Sequence, residues 1–279
     1  MKLSVVTINY NNRDGLRKTI ESVVNQTFKD FEYIIIDGGS TDGSVDVIKE
    51  YKDKIDYWIS EPDKGIYNAL NKGVAVAKGE YCNFMNSGDS FYSHTTLEEV
   101  FNNKPSSDLL CGITHSDKVK LPPREITFDF LFNGCICHQC AFIRTSLMKK
   151  YGYDENYKIV SDRKFFVQAL ILDNCSYQAL NVDVVKYDIT GFSAVNPVLS
   201  ILEYDKVLEE LIPERIRIDY GKKYKGELYG DTWYDKLFVE VRKRQYKGLV
   251  YCVVVLLLRI IALIKGSAKF IYNYPFRSN

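Results

Sequence analysis

Two rhythms of apolar and polar positions alternate along the first ninety residues. Residues 3–8 form a β-branched run that ends in the polar cluster Asn9-Tyr10-Asn11-Asn12, the pattern of a buried strand and its loop. Over 13–26, Leu16, Ile20, Val23 and Val24 recur at helical spacing. Residues 31–36 read as a second strand stopped by Asp37-Gly38-Gly39, and Ser40, Thr41 and Asp42 can cap a helix through Val45 and Ile48. A third strand at 55–59, a helix at 66–78 and a strand at 81–85 continue the alternation. Such a series predicts an open, mainly parallel, doubly wound α/β sheet.

Beyond Asp89 the pattern loosens. It predicts a helix near 96–101, strands at 108–113 and 139–143, a helix at 145–151, a longer helix over 162–172 and a strand at 182–187. From Pro197 the chain reads as mostly helical. The organisation expected is a catalytic domain over 1–195, divided into halves at 1–90 and 91–195, followed by a helical, basic region over 196–279.

Ligands of doubly wound sheets bind beyond the carboxyl ends of the strands. Those ends are 7–12, 37–42, 61–65 and 86–89; all are polar, and Asp37, Asp63 and Asp89 lie within three of them. Asp162, in Ile-Val-Ser-Asp-Arg, is a further carboxylate that opens a helix. One carboxylate suits a divalent metal held against a diphosphate; the other suits removal of a proton from an incoming hydroxyl.

The 279 residues carry a net charge of +1, but residues 214–279 hold 14 Lys/Arg against 6 Asp/Glu. Such a tail fits an anionic surface, or simply a solvated basic helix. Seven irregularly spaced cysteines fit a reducing compartment better than a disulfide framework. The start of the chain enters a strand with no basic segment leading into an apolar run, so a secretory signal is not expected. Cys135-Ile136-Cys137-His138-Gln139-Cys140 is too crowded to close a zinc tetrahedron.

Six motifs in order resemble the family-2 glycosyltransferases of the GT-A type: Val-Val-Thr-Ile-Asn-Tyr-Asn-Asn (5–12), Asp-Gly-Gly-Ser-Thr-Asp-Gly (37–43), Ser-Glu-Pro-Asp-Lys-Gly-Ile-Tyr-Asn-Ala-Leu-Asn-Lys-Gly (60–73), Ala-Lys-Gly-Glu-Tyr (77–81), Asn-Ser-Gly-Asp (86–89) and Ser-Asp (161–162). The resemblance spans residues 2–193. It implies an enzyme that moves a sugar from a UDP- or GDP-sugar to a hydroxyl, with inversion and with Mg²⁺ or Mn²⁺. On that likeness Thr7, Asn9 and Tyr10 would line the nucleotide pocket. Either Asp37 or Asp63 would meet the base, since Gly38 stands where the family often has a second acid. Lys64 would meet a phosphate or face solvent, and Asn71 resembles a family asparagine in its helix. Ser87-Gly88-Asp89 corresponds to the metal motif, with Asp89 its last carboxylate. Asp162 would be the base, with His138, Gln139 and Ser161 on the acceptor side. Gly191-Phe192-Ser193 would close over the diphosphate.

Residues 249–264 are apolar except for Arg259 and are flanked by basic residues. They are short of the roughly 20 needed to span a bilayer, and suit an interfacial helix on an anionic leaflet or a helix packed on protein. The expected setting is therefore cytoplasmic, peripheral at the inner membrane face, with a lipid-linked glycan among the acceptors and no nucleic-acid partner. The segment 9–15 lacks G-x-G-x-x-G and the P-loop pattern, which argues against a dehydrogenase or a P-loop nucleotide enzyme. A catalytically silent sugar-nucleotide binding module and a nucleotidyltransferase stay open as alternatives.

Overall fold

The computed structural model describes residues 1–102, 104–189 and 196–220. The chain divides into two compact units, Met1–Val207 and Leu208–Asn279. At the centre of the first unit, β1 (Leu3–Asn9) is buried along its whole length. It lies between two parallel neighbours, β2 (Phe31–Asp37) and β4 (Tyr81–Phe84), and β3 (Tyr57–Ser60) adds to β2 in parallel. With neighbours on both edges and α1 (Arg13–Val24) and α3 (Ile66–Val76) packed against it, β1 has no solvent side. Its unbroken apolar run follows from that.

Register decides what the strand ends offer. Asn9 pairs with Asp37, and Asp37 with Ser60, so three polar residues finish in one row across β1, β2 and β3. Between β2 and β3, the chain forms α2 (Ser44–Glu50).

Past β4 the expected parallel order gives way to a mixed sheet. β8 (Ala141–Arg144) runs antiparallel to β4, and β6 (Leu109–His115) antiparallel to β8; β9 (Tyr177–Lys186) is parallel to β6. Two-residue strands β5 (Ser90–Phe91) and β7 (Val119–Lys120) pair with β9 and β6. The spatial order is β3-β2-β1-β4-β8-β6-β9-β5, with β7 on β6. Helices α4 (Thr96–Asn102), α5 (Phe128–Asn133), α6 (Thr145–Tyr151) and α7 (Ser161–Phe166) connect this half, and α8 (Pro197–Leu211) follows it.

Two expectations change here. Residues 138–140 form a buried 3₁₀ turn ahead of β8, so the strand begins at Ala141 and not at 139. The helix over 162–172 is α-helical only to Phe166 and continues as a π-helix over Val167–Leu172. Neither β5, β7 nor α5 is long enough to leave a periodic signature. Among the described residues, no helix is long and apolar enough to cross a membrane. Residues 191–193, 249–264 and the aromatic tail beyond them lie outside the described residues. In the second unit, residues 214–220 are helical, and Arg217 Nε donates to the Ile212 carbonyl at 3.0 Å.

Candidate active site

The turn Ser87-Gly88-Asp89 is held by α1. Thr19 Oγ1 accepts from the Gly88 amide at 3.0 Å and donates to the Asp89 carbonyl at 2.6 Å. Lys18 Nζ donates to the Gly88 carbonyl at 2.8 Å, and Asn12 Nδ2 to the Ser87 carbonyl at 3.3 Å. Gly88 has φ +102°, and a Cβ there would stand 2.8 Å from Asp188 Oδ2, so glycine is required both for the bend and for the approach of Asp188. Neither Thr19 nor Asp188 is evident in the sequence motifs. Thr19 leaves one hint, as a polar residue on the stripe of Leu16, Ile20 and Val23.

Asp89 is only 4% exposed. Its Oδ1 accepts the Asp188 amide at 2.7 Å and its Oδ2 accepts Gln139 Nε2 at 3.1 Å. Burial pushes the carboxyl up to about 6, outweighing those two hydrogen bonds and the pull of His138, with the Asp188 charge adding to the rise. Among the described residues neither oxygen accepts a second hydrogen bond. Among the described residues no group of three His, Cys, Asp or Glu side chains could hold a metal alone. A lone carboxylate such as Asp89 would serve a hard cation only with phosphate oxygens and water completing the shell, as is usual for Mg²⁺.

Asp162 sits in the first turn of α7. Val160 holds the cap position without a side-chain bond, so Asp162 is not the helix cap. Its Oδ1 accepts the Arg163 amide at 2.8 Å and the Tyr67 hydroxyl at 3.2 Å; His138 Nδ1 stands 3.3 Å from Oδ2. The turn at 138–140 thus touches both aspartates: His138 reaches Asp162 and Gln139 reaches Asp89. Both residues are more than nine-tenths buried and hydrogen-bond the two carboxylates. Burial favours the neutral His138 ring, but the hydrogen bond and charge of Asp162 outweigh it and raise its pKa. Asn86 Nδ2 lies 3.2 Å from Nε2, and Asn86 Oδ1 has no partner. With the amide turned over, that oxygen would accept from the imidazolium, so Asn86 can serve either form of the ring. Ser161 Oγ is buried without a hydrogen-bond partner among the described residues.

On the nucleotide side the row set by strand register is saturated. Asp37, fully buried, accepts Asn9 Nδ2 at 2.8 Å, Ser40 Oγ at 2.6 Å, the Ser40 amide at 2.9 Å and Ser60 Oγ at 2.6 Å. Burial opposes its charge, yet these bonds prevail and hold the carboxyl below the usual range. With four donors already in place, Asp37 braces the strand ends and has no capacity left for a base. Thr7 is likewise inside the sheet, sharing a hydrogen bond with the Tyr33 hydroxyl and donating to the Met85 carbonyl. Asn9 braces Asp37, although its Oδ1 is buried and unpartnered.

Tyr10, by contrast, is 67% exposed. A Cβ at Gly38 would lie 2.6 Å from Asp63 Oδ2 and 3.2 Å from Tyr10 Cδ2. The space that a second acid would take at position 38 is therefore occupied by the carboxylate of Asp63, whose Oδ1 accepts the Gly65 amide at 2.8 Å. Lys64 lines a cavity of about 310 Å³ with Tyr67, Glu155, Tyr157 and Lys158. Asn71 is committed elsewhere. Its amide pairs with both backbone groups of Tyr153 and with Glu155, fixing the loop ahead of α7. Asp42 joins the starts of α1 and α2, accepting the Arg13 and Ser44 amides. Cys111 and Cys140 lie 3.4 Å apart as free thiols.

The profile of glycosyl transferase family 2 matches residues 4–119. An uncharacterized glycosyltransferase of Mycobacterium tuberculosis is 32% identical over 200 residues, covering 68% of this chain and 76% of the relative. The chain belongs to glycosyl transferase family 2. Solved structures agree on the fold. A mannosyltransferase from Pyrobaculum calidifontis, in complex with GDP-Man and Mn²⁺, superposes with a TM-score of 0.63 at 12% identity, covering 98% of this chain and 83% of that one. S. aureus TarS 1-349, in complex with UDP-GlcNAc, gives 0.56 at 21% identity, covering 67% of this chain and 58% of that one. The family assignment accounts for the α/β architecture and makes this protein a glycosyltransferase.

Proposed function

We propose that the protein transfers a sugar from a nucleoside-diphosphate sugar to a hydroxyl acceptor with inversion, using a divalent cation held by Asp89 and the base Asp162. The observation that carries this reading is the His138-Gln139 bridge between the two carboxylates. Two acids far apart in sequence share one support, which favours their acting together in a single displacement.

Asp89, with Ser87 and Asp188 beside it, would hold Mg²⁺ or Mn²⁺ against the diphosphate. The cation, when bound, stabilises charge growing on the leaving diphosphate. Tyr10 offers an exposed ring for the base, and Asp63 a carboxylate oxygen beside it that can accept a pyrimidine or guanine N–H. Lys64 stands close enough in sequence to meet a phosphate oxygen. Asp162 takes the acceptor proton on Oδ2, where His138 holds it, while Tyr67 and the Arg163 amide keep Oδ1 occupied. General-base assistance of this kind contributes roughly 10²–10⁴-fold. Lipid-linked or cell-surface glycan acceptors are supported by the basic tail and its apolar segment 249–264, and peripheral attachment at an anionic membrane by the same features.

The test is hydrolysis of UDP-glucose, UDP-galactose, UDP-N-acetylglucosamine and GDP-mannose, with and without Mn²⁺, in the native chain and in Asp89→Ala. Mn²⁺-dependent release of free sugar that disappears in the variant supports the reading. Nucleotide-sugar binding without any release would instead support the silent binding module.

A further inference from the structure

Glu203 is 7% exposed and belongs to α8, beyond the last motif of the family pattern. Among the described residues no ion pair neutralises it. Its carboxylate accepts the Lys158 amide on both oxygens, at 2.9 and 3.1 Å, and the Ile159 amide at 2.9 Å. A carboxylate taken out of water is costly unless donors replace the lost hydration. Here the donors are two consecutive backbone amides, two and three residues before Ser161-Asp162. The carbonyl of the same Ile159 accepts the Tyr67 hydroxyl at 2.5 Å, and that hydroxyl also reaches Asp162 Oδ1. Ile159 is therefore gripped at its N–H by Glu203 and at its C=O by the tyrosine that touches the base.

The next residue on α8 holds the other flank. Tyr204 lays its ring 3.3 Å from the Arg163 guanidinium and donates its hydroxyl to the Leu131 carbonyl. Arg163 Nη2 in turn donates to the Gly134 carbonyl at 3.1 Å. Two consecutive residues of one helix thus fix the chain just before Asp162 and just after it.

We propose that Glu203 and Tyr204 are positioning residues for Asp162, so that α8 sets the geometry of proton removal without touching substrate. This rests on the reading of Asp162 as the base. Fixing two peptide planes and one guanidinium holds the carboxylate toward its incoming proton. A misplacement of about 1 Å can cost roughly 10²-fold in rate.

The experiment compares Glu203→Gln, Glu203→Asp, Glu203→Ala and Asp162→Asn in Mn²⁺-dependent hydrolysis of the donor panel, alongside backbone hydrogen exchange over 156–166. Gln keeps one accepting oxygen at the right length; Asp keeps the charge but falls one methylene short. The expected order of kcat is native, then Gln within a few-fold, then Asp and Ala roughly 10²-fold down, with donor KM unchanged and exchange rising at Lys158 and Ile159. Should the alanine variant fail to fold, the Gln-over-Asp order carries the test alone. Native kcat in Glu203→Asp, a loss confined to donor KM, or unchanged exchange at Lys158 and Ile159 each overturns the proposal. Asp162→Asn separates the two readings: if it retains turnover the base assignment fails, whereas if it is inactive while every Glu203 variant matches the native chain, only the positioning role fails. In a chain that hydrolyses none of the donors, the exchange measurement decides.

Discussion

His138 Nδ1 faces Asp162 Oδ2 across 3.3 Å, and the adjoining residue, Gln139, donates to Asp89 Oδ2 at 3.1 Å. Replacing the two in turn should separate the functions that they join. His138→Ala should lower kcat and shift Mn²⁺ affinity only through its charge, less than Gln139→Ala, which removes a direct hydrogen bond to Asp89. Loss of such a support typically costs roughly 10–100-fold. Mn²⁺ titration by electron paramagnetic resonance, beside steady-state hydrolysis, measures both. Identical effects from the two substitutions would show that the bridge is merely structural.

Asp162→Asn keeps the shape of the side chain and its bonds to Tyr67 and Arg163 but cannot take a proton. Turnover should fall by roughly 10²–10⁴-fold, with nucleotide binding by calorimetry unaltered. Donor affinity lost in parallel would reassign Asp162 to binding.

Asp89 links function to stability. Its folded pKa, about 6, lies above that of an unfolded carboxylate. The folded state therefore holds the proton more tightly, and the stability from Asp89 is complete below the usual carboxylate range and lost as pH rises through about 6. His138 and Asp188 are the ionisable groups facing it, and their opposite pulls are part of that value. In metal-free protein above this window, Asp89→Asn should stabilise the fold by up to about 3 kcal/mol and so raise Tm, with little change near pH 4. Mn²⁺ affinity of the native chain should weaken below about pH 6 as protons compete. Thermal melts and Mn²⁺ titrations across pH check both signs.

Gly38→Ala puts a methyl group where the Asp63 carboxylate lies. The obstructed atom ends a flexible side chain, so the fold should persist while Asp63 swings away from Tyr10. Donor KM should rise with kcat little changed, and Asp63→Ala should do the same. In the double variant the effects should not add, since both act through one carboxylate.

Asn71→Ala offers the opposite profile. It removes bonds to the Tyr153 backbone and Glu155 and leaves buried backbone groups unpaired, a loss of about 1–3 kcal/mol each. Tm should drop while nucleotide affinity holds. Nucleotide binding lost at an unchanged Tm would return Asn71 to the donor site.

Much of the fold was legible along the chain because the first half consists of long segments with a single rhythm. The strand-and-helix series through residue 84 and the helix at 145–151 follow from apolar spacing alone. The carboxyl-end residues Asp37, Asp63 and Asp89 were legible as a polar set for the same reason. Their division of labour was not. Asp37 and Asp63 are both aspartates at or just past strand ends, but strand register brings Asn9 and Ser60 onto the first, beside the local contact of Ser40, and only packing brings the second into the space over Gly38.

The sequence by itself determined the alternation that builds a parallel core, the motif order of family 2 and the two acids, Asp89 and Asp162, to which the proposed chemistry is assigned, because these are properties of residue type and local spacing. Tertiary structure alone decided that His138 and Gln139 join those acids, that Asp188 stands over Gly88, and that Glu203 and Tyr204 brace the chain on either side of Asp162. Each such contact spans 24 to 100 residues of chain. No local periodicity records it, because it arises from strand order and the direction in which a buried side chain must turn to find its partner.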